Sequence, residues 1–248
     1  MTEPDSTAPG VRINKYIGET GHCSRREADA WIDAGRVNVN GQRAELGTRV
    51  AEGDSVTVDG RPVGARRAPV YIALNKPVGI TCTTERHVSG NIIDFVGHRE
   101  RIFPIGRLDK ESEGLILLTN QGDIVNEILR VENAHEKEYR VTVDRPVTEA
   151  FVQGMSGGVR LPELEVTTRR CQLEVLAPRV FRIVLTQGLN RQIRRMCEVF
   201  GYDVRRLQRV RVVNVELGIL KVGRWRDLTP AELAGLLPKR FGGSPEAR

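Results

Sequence analysis

The pattern of apolar and polar positions divides the chain into two parts. In the first, residues 11–60, apolar positions recur at helical spacing over residues 25–34, and short runs beyond them alternate with the period of a strand. Ser24 and Glu27 have the spacing of a capping box before that helix. Asn40-Gly41 is typical of a hairpin turn. This part is therefore predicted to fold as two helices and small strands.

From Val70 the pattern predicts longer strands that outnumber the helices. The apolar run Leu115–Leu118 indicates a buried strand, and residues 212–217 are predicted as another strand. Short helices are predicted over residues 123–130 and 190–200, the second with an apolar stripe facing the core. Because strands and helices are mixed in order, we predict an α+β fold whose mixed, mostly antiparallel sheet is flanked by helices.

The remaining segments are predicted to be irregular. Residues 1–10 and 241–248 are polar tails, and we expect the first to be disordered. Residues 61–69 are rich in proline, glycine and arginine, which is typical of a flexible linker. A small domain over 11–60 and a larger one over 70–240 are thus expected.

Composition narrows the classes of function. The 248 residues carry a formal charge of +6, which favours an anionic partner. The four cysteines are scattered and form no C-x-x-C pair, and the four histidines are also scattered, so neither a disulfide framework nor a metal site is expected. No apolar run approaches the ~18 residues that cross a membrane, and no apolar leader segment is present. We therefore expect a cytoplasmic protein without a membrane partner.

Basic residues crowd the first domain. Cations at the start of a helix oppose its dipole, so a role in stability does not explain them. They would suit a phosphate backbone, although an ordinary solvated face remains the alternative. The candidate RNA-binding residues here are Arg12, Lys15, Arg25, Arg26 and Arg36.

A second basic segment contains seven arginines and no lysine between Arg191 and Arg211. Arginine makes bidentate contacts to phosphate and stacks on bases, whereas a surface that serves only solubility also uses lysine and acidic residues. This segment therefore favours contact with nucleic acid. The candidate residues here are Arg191, Arg195, Arg205, Arg206 and the interleaved Leu207.

One carboxylate stands out in the second domain. Within FPIGRLDKESEGLILL (103–118), Asp109 lies between Arg107 and Lys110 and just before the buried strand. A carboxylate between cations stays ionised and can act as a nucleophile or base. The residues alone leave open an ordinary turn with a surface ion pair.

The first domain resembles a known RNA-binding family. RINKYIGETGHCSRREADAWIDAGRVNVNGQ, followed by the late turn GDSV, is similar to the S4 domain of ribosomal proteins and RNA-modifying enzymes. The resemblance covers Val11 to about Asp59. It implies binding of structured RNA.

The second domain resembles the pseudouridine synthases of the RsuA and RluB/E/F branch. The blocks LNKP, GRLDKESEGL, TNQGD, KEY and QGLNRQIRRM occur in the family's order, and GRWRDLT follows them. Within the branch they are most similar to the RluF type, which acts on a uridine in a helix near the peptidyl-transferase centre of large-subunit ribosomal RNA. The resemblance implies isomerisation of uridine to pseudouridine without a cofactor.

The resemblance also implies roles for individual residues. Asp109 would be the catalytic carboxylate, Tyr139 would stack on the uracil and assist removal of the C5 proton, and Arg194 would pair with Asp109. Arg191 and Arg195 are the alternatives for that pairing. Whether the carboxylate attacks the sugar, attacks the base or takes a proton to form a glycal stays open.

Three further residues have weaker implied roles. Arg107 would enter the space that the flipped uridine leaves, or contact a phosphate. Leu207 would pack against the target base. Lys76 would be a structural or phosphate contact rather than a catalytic group.

Other functions stay open at this point. The enzyme could act on another ribosomal uridine or on a transfer RNA, with residues 131–139 and the helix from Asn190 expected to govern that choice. A protein of another class, a non-catalytic RNA-binding assembly factor, would have no need for Asp109. We expect a monomer in each case.

Overall fold

The computed structural model describes residues 10–65, 67–129 and 135–242. The chain divides into two compact units between Pro69 and Val70, which is the predicted end of the linker. The predicted tails lie almost entirely outside the described residues.

The first unit packs two helices against small antiparallel strands. Ser24 and Glu27 form the predicted capping box, with the Ser24 N–H donating to the Glu27 carboxylate at 2.6 Å. The apolar faces of both helices meet in one buried core. Its elements are β1 (Val11–Arg12), α1 (Ile13–Glu19), α2 (Arg25–Asp33), β2 (Val37–Val39), β3 (Gln42–Arg43), β4 (Arg49–Val50), β5 (Val56–Val58) and β6 (Arg61–Pro62).

The start of the predicted linker was wrong. Arg61 and Pro62 form β6, which pairs with β5 in a four-stranded sheet of order β3-β2-β5-β6. The Val63 N–H then donates to the Val56 carbonyl at 2.9 Å, and its side chain packs on the core. The linker is thus shorter than residues 61–69, because the alternating apolar pattern continues through Val63.

The second unit is built on a nine-stranded sheet with helices packed against it. The α+β prediction is confirmed, and among the described residues every pairing between strands of this sheet is antiparallel except the one between β9 and β15. The main path through the sheet is β13-β14-β10-β15-β9-β7-β17. The elements are β7 (Tyr71–Lys76), α3 (Ile92–Val96), β8 (Phe103–Ile105), β9 (Glu113–Thr119), α4 (Asp123–Leu129), β10 (Lys137–Val143), α5 (Glu149–Gly157), β11 (Arg160–Leu161), β12 (Val166–Thr167), β13 (Gln172–Ala177), β14 (Val180–Leu185), α6 (Gln192–Val199), β15 (Val204–Val212), β16 (Val215–Glu216), β17 (Trp225–Asp227), α7 (Pro230–Leu236) and α8 (Pro238–Phe241).

The strand predicted over residues 212–217 is not one strand. β15 ends at Val212, the chain reverses at Val213 and Asn214, and β16 returns alongside it. Val213 adopts φ 55°, which breaks the extended backbone. The last part of the arginine-rich segment forms β15, a nine-residue strand that was not predicted from the charge pattern. In the described part of the chain, no helix is long and apolar enough to cross a membrane.

The parallel contact between β9 and β15 joins two antiparallel halves of the sheet. Its register contains only two pairs, Glu113 with Gln208 and Gly114 with Arg209. Gly114 adopts φ 101°, and a Cβ there would overlap the Arg209 carbonyl oxygen. Arg209 is buried and its Nε donates to the Leu115 carbonyl at 2.7 Å. The two halves thus meet along a short seam of close backbone contact.

Replacing Gly114 with alanine tests the importance of this seam. Gly114→Ala should destabilise the second unit by roughly 3 kcal/mol or more, because backbone atoms cannot give way as a flexible side chain can. The control is Gly201→Ala, where φ is also positive but the space is open, and its cost should be about 1 kcal/mol. The measurement is the unfolding transition in scanning calorimetry, and equal shifts for the two variants would contradict the seam's importance.

Candidate active site

Asp109 lies on the loop between β8 and β9. The neighbouring Leu108 is buried and its N–H donates to Cys82 Sγ at 3.5 Å, while Arg107 and Lys110 are exposed. The Asp109 side chain is 29% exposed and lines a cleft. Among the described residues, none donates a hydrogen bond to its carboxylate. Its oxygens are therefore available to a bound molecule.

The loop after Asp109 is held by its backbone carbonyl groups. Three consecutive carbonyl oxygens each accept a hydrogen bond, and two of the donors are cationic side chains. The bonds run from Gly79 N to Lys110 O (2.8 Å), from Arg194 Nη2 to Glu111 O (3.3 Å) and from Lys76 Nζ to Ser112 O (2.7 Å). This arrangement fixes the backbone that carries the carboxylate.

Lys76 lies in the interior, which favours a structural role over a phosphate contact. Its side chain is completely buried and also donates to the Pro77 carbonyl at 2.9 Å. Burial lowers the pKa of Lys76, and the nearby carboxylates, including Asp109, oppose that shift. The structural role that the sequence left open for Lys76 is the one observed.

The direct partner of Asp109 is Arg191 rather than Arg194. Arg191 Nη1 lies 3.9 Å from Asp109 Oδ2 and 2.9 Å from Glu111 Oε2. Arg194 instead donates to the Glu111 carbonyl and, at 3.1 Å, to the Val204 carbonyl. Arg191 has the left-handed backbone that precedes α6, so this helix begins two residues later than predicted. The predicted pairing is thus corrected to its stated alternative.

Arg194 still belongs to the electrostatic environment of the site. Burial lowers the pKa of its guanidinium, Arg191 adds to that effect, and Asp109 opposes it. Its Nε is buried and has no hydrogen-bond partner in the described structure. The residue connects the Asp109 loop to the start of β15, which lies on the other side of the seam.

Tyr139 and Leu207 form the opposite wall of the cleft. Tyr139 lies on β10 between two hydrophobic clusters, and Leu207 is buried on the neighbouring β15. No described residue forms a hydrogen bond with the Tyr139 hydroxyl. The cleft therefore brings Asp109, Tyr139, Arg191 and Leu207 together, with Arg107 at its rim.

A salt-bridge cluster fixes the strand that carries Tyr139. The Glu138 carboxylate binds Arg182 of β14 at 2.7 Å and Arg211 of β15 at 3.1 Å. These two arginines lower the pKa of Glu138, with Arg182 contributing most. Glu138 thereby links the strands on both sides of β10.

Several predicted RNA-binding arginines contact carboxylates of the protein. Arg195 binds Glu163, Arg206 binds Glu113, and Arg205 lies 3.5 Å from Asp203. The buried Arg209 and the Glu138-bound Arg211 of the same segment are structural. Several of the seven arginines are therefore paired or buried, and fewer of them are available to RNA than the sequence indicates.

The candidate residues of the first unit are mostly exposed. Arg12, Arg25 and Arg26 face solvent, and Lys15 lies 3.5 Å from Glu19. Arg36 makes a bidentate pair with Asp59, whose carboxylate raises the arginine's pKa, and its guanidinium lies 5.1 Å from the Trp31 ring centre.

Two glutamines of the cleft were not predicted from the sequence. Gln192 is buried and its Oε1 accepts the Leu189 N–H at 3.0 Å, while Gln187 Oε1 accepts the Arg169 N–H at 3.0 Å. Both lie in the block QGLNRQ, which joins β14 to α6 along the cleft wall. Their position in that block was the signal that could have identified them. No cluster of three or more potential metal ligands is found in the described ranges.

Family models match both units. The model described as the S4 domain matches residues 11–56, and the model described as RNA pseudouridylate synthase matches residues 70–199. The matches support the predicted organisation. They also favour catalysis over a purely RNA-binding role, because the Asp109 loop, Tyr139 and Arg191 all lie within the second model.

Individual proteins are similar over most of the chain. The dual-specificity RNA pseudouridine synthase RluF of Escherichia coli (strain K12) is 56% identical over 247 residues, covering 99% of this chain and 83% of that protein. The ribosomal large subunit pseudouridine synthase B of Bacillus subtilis (strain 168) is 33% identical, covering 91% and 95%. A crystal structure of a pseudouridylate synthase matches with a TM-score of 0.68 at 27% identity, covering 92% of this chain and all of that one. The chain belongs to the RNA pseudouridine synthase family, as an isomerase with an N-terminal S4 domain.

Proposed function

We propose that this enzyme converts a uridine of structured large-subunit (23S) ribosomal RNA to pseudouridine, as an RluF-type synthase that works as a cytoplasmic monomer. The observation that carries the proposal is the 56–57% identity to RluF proteins across both domains. The name of the Bacillus subtilis relative also refers to the large ribosomal subunit. Because the RluF relatives are named dual-specificity enzymes, a transfer RNA is the second candidate substrate.

Asp109 is proposed as the catalytic carboxylate. The reaction breaks the bond between N1 of uracil and C1′ of ribose, rotates the base and forms the bond between C5 and C1′. C5 loses its proton and N1 gains one, so the product is an isomer of the substrate. The carboxylate oxygens of Asp109, to which no described residue donates a hydrogen bond, could attack the sugar, attack the base or take the C2′ proton. In each case the loop carbonyl contacts keep the carboxylate in place while the base turns.

The opposite wall is proposed to hold the base. The Tyr139 ring would stack on the uracil, and its hydroxyl could assist removal of the C5 proton. Leu207 would pack against the target base. A uridine inside a helix must leave the stack to reach this cleft, and the exposed Arg107 at the rim is placed to occupy the vacated space.

The two arginines near Asp109 are proposed to have different roles. Arg191 would orient the carboxylate, while Arg194 would hold the Glu111 and Val204 carbonyls across the seam. Residues 131–134, part of the segment expected to govern target choice, lie outside the described residues.

Replacing the carboxylate tests the chemistry. Asp109→Asn should lower the rate of tritium release from [5-³H]uridine RNA by at least ~10³-fold, because an amide can neither attack nor accept a proton here. RNA affinity, measured by fluorescence anisotropy, should stay within a few fold. The control is Asp203→Asn at an exposed carboxylate, which should react normally. Normal product from Asp109→Asn would contradict the assignment.

Separate replacement of the two arginines tests their division of roles. Arg191→Ala should lower kcat by roughly tenfold or more with little change in melting temperature, since its side chain is half exposed and pairs with the carboxylates of Asp109 and Glu111. Arg194→Ala should lower both activity and melting temperature, because it removes the hydrogen bonds that join the Glu111 and Val204 carbonyls across the seam. Arg179→Ala, at an exposed turn, serves as the control. A wild-type rate for Arg191→Ala would show that Asp109 needs no such partner.

The salt dependence of binding tests the S4 unit. Arg25→Glu/Arg26→Glu should weaken binding to structured RNA and reduce the salt slope by roughly one or two, since each lost phosphate contact removes about 0.7–0.9. Arg179→Glu changes the same kind of charge elsewhere and should leave the slope nearly unchanged. An unaltered slope for the double variant would remove these arginines from the RNA contact.

A further inference from the structure

Gln192 is a buried polar residue in the wall of the cleft, and the roles proposed above do not use it. It is the first residue of α6, and it is only 5% exposed. Its side chain carries a carbonyl oxygen and an amide nitrogen, and burying such a group is costly unless neighbouring groups form hydrogen bonds with it. The partners of this amide therefore indicate what it does.

Gln192 forms two hydrogen bonds with the same residue, Leu189. Its backbone N–H donates to the Leu189 carbonyl at 3.3 Å, and its Oε1 accepts the Leu189 N–H at 3.0 Å. The first bond is the ordinary closure of a turn. The second bond closes the same turn again, through the side chain. Asn190 and Arg191 are the two residues that this pair of bonds encloses.

The nitrogen of the same amide faces the protein as well. Gln192 Nε2 lies 3.5 Å from Gln187 Oε1 and 3.8 Å from Met196 Sδ. Since the Gln187 oxygen also accepts the Arg169 N–H at 3.0 Å, it is an acceptor and the group facing it must be a donor. The amide of Gln192 thus has one orientation, with its oxygen towards Leu189.

Arg191 has a backbone conformation that needs such support. Its φ is 50° and its ψ is 32°, in the left-handed region that is unfavourable for a residue with a side chain. Its own side chain does not cap α6. The two bonds between Leu189 and Gln192 enclose this residue and stabilise the turn that contains it.

The conformation of Arg191 decides where its guanidinium lies. From the left-handed backbone, Nη1 reaches to 3.9 Å from Asp109 Oδ2 and 2.9 Å from Glu111 Oε2. A right-handed backbone at this position would begin α6 one residue earlier, and the side chain would leave the chain in another direction. Loss of the side-chain bond to Leu189 would therefore move Arg191 relative to Asp109 without removing either residue.

We infer that Gln192 is a positioning residue of the reaction, whose amide oxygen holds the turn over residues 189–192 so that Arg191 points at Asp109. The inference rests on the role proposed above for Arg191. It requires an acceptor at the end of the side chain and nothing more. Glutamate should therefore replace Gln192, whereas methionine, which has a similar length and shape but no such acceptor, should not.

A double-mutant cycle with Arg191 tests the inference. Gln192→Met should lower kcat for tritium release by roughly tenfold, with KM and RNA affinity within a few fold of wild type. Gln192→Glu should keep most of the rate. Adding Gln192→Met to Arg191→Ala should change the rate by less than about twofold, because the effects of two residues that act through one contact do not add.

Thr148→Val is the control for a general loss of stability. Thr148 Oγ1 accepts the Phe151 N–H at 3.2 Å where α5 begins, so this variant also removes a side-chain hydrogen bond at the start of a helix. Thr148 does not line the cleft. Its variant should react at the wild-type rate even if its melting temperature falls as far as that of Gln192→Met. Gln192→Asn, whose amide is one methylene shorter, replaces Gln192→Met in the cycle if the latter does not fold.

The possible failures can be told apart. A wild-type rate for Gln192→Met would overturn the inference. So would an equal loss in Gln192→Glu, or an undiminished loss in the Arg191→Ala background. If Arg191→Ala itself reacts at the wild-type rate, the role proposed for Arg191 fails together with the inference. Product formed by the wild-type enzyme on the same RNA establishes the proposed substrate independently of every variant.

Discussion

The catalytic domain depends on the close backbone contact between Gly114 and Arg209. Two antiparallel halves of the sheet meet there through a parallel register of two residue pairs. A side chain at position 114 would not fit between them. Because the seam is short, the halves diverge beyond it. Asp109 precedes the seam on one half and Tyr139 lies on the other, so the cleft between them is a consequence of how the sheet is joined.

Cationic side chains compensate for the irregular backbone around the seam. Where regular pairing stops, carbonyl oxygens lose their ladder partners, and leaving them unsatisfied in the interior is costly. Lys76 donates to the Ser112 carbonyl, Arg194 to the Glu111 carbonyl and Arg209 to the Leu115 carbonyl. A long side chain with several donors can reach a carbonyl that no neighbouring strand can. These three residues explain how a loop between strands holds a carboxylate without regular secondary structure.

The sequence was sufficient for features encoded locally and insufficient for those that depend on tertiary contacts. The capping box at Ser24, the α+β class and the order of the catalytic blocks could be read directly. The partner of Asp109 could not, because the left-handed backbone at Arg191 decides which arginine of the helix reaches the loop. The strand over residues 204–212 was missed for a related reason, since its alternating arginines indicate a charged surface as readily as a paired strand. The choice between the two roles stated for Lys76 could not be made, because its burial depends on strands distant in sequence.

The distribution of the cations changes what the net charge of +6 means. Much of the arginine-rich segment is neutralised within the protein, with Arg211 bound to Glu138 and Arg206 to Glu113. These pairs fix β10 and β15, which carry a wall of the cleft. Arginines that are paired in this way are less available to bind phosphate. The cations that pair with no carboxylate in the described part of the second unit include Arg107 at the cleft rim and Arg224, just before β17. Since both lie at the end of the sheet that carries Asp109, the catalytic domain's affinity for RNA should be concentrated along that end rather than spread over its surface.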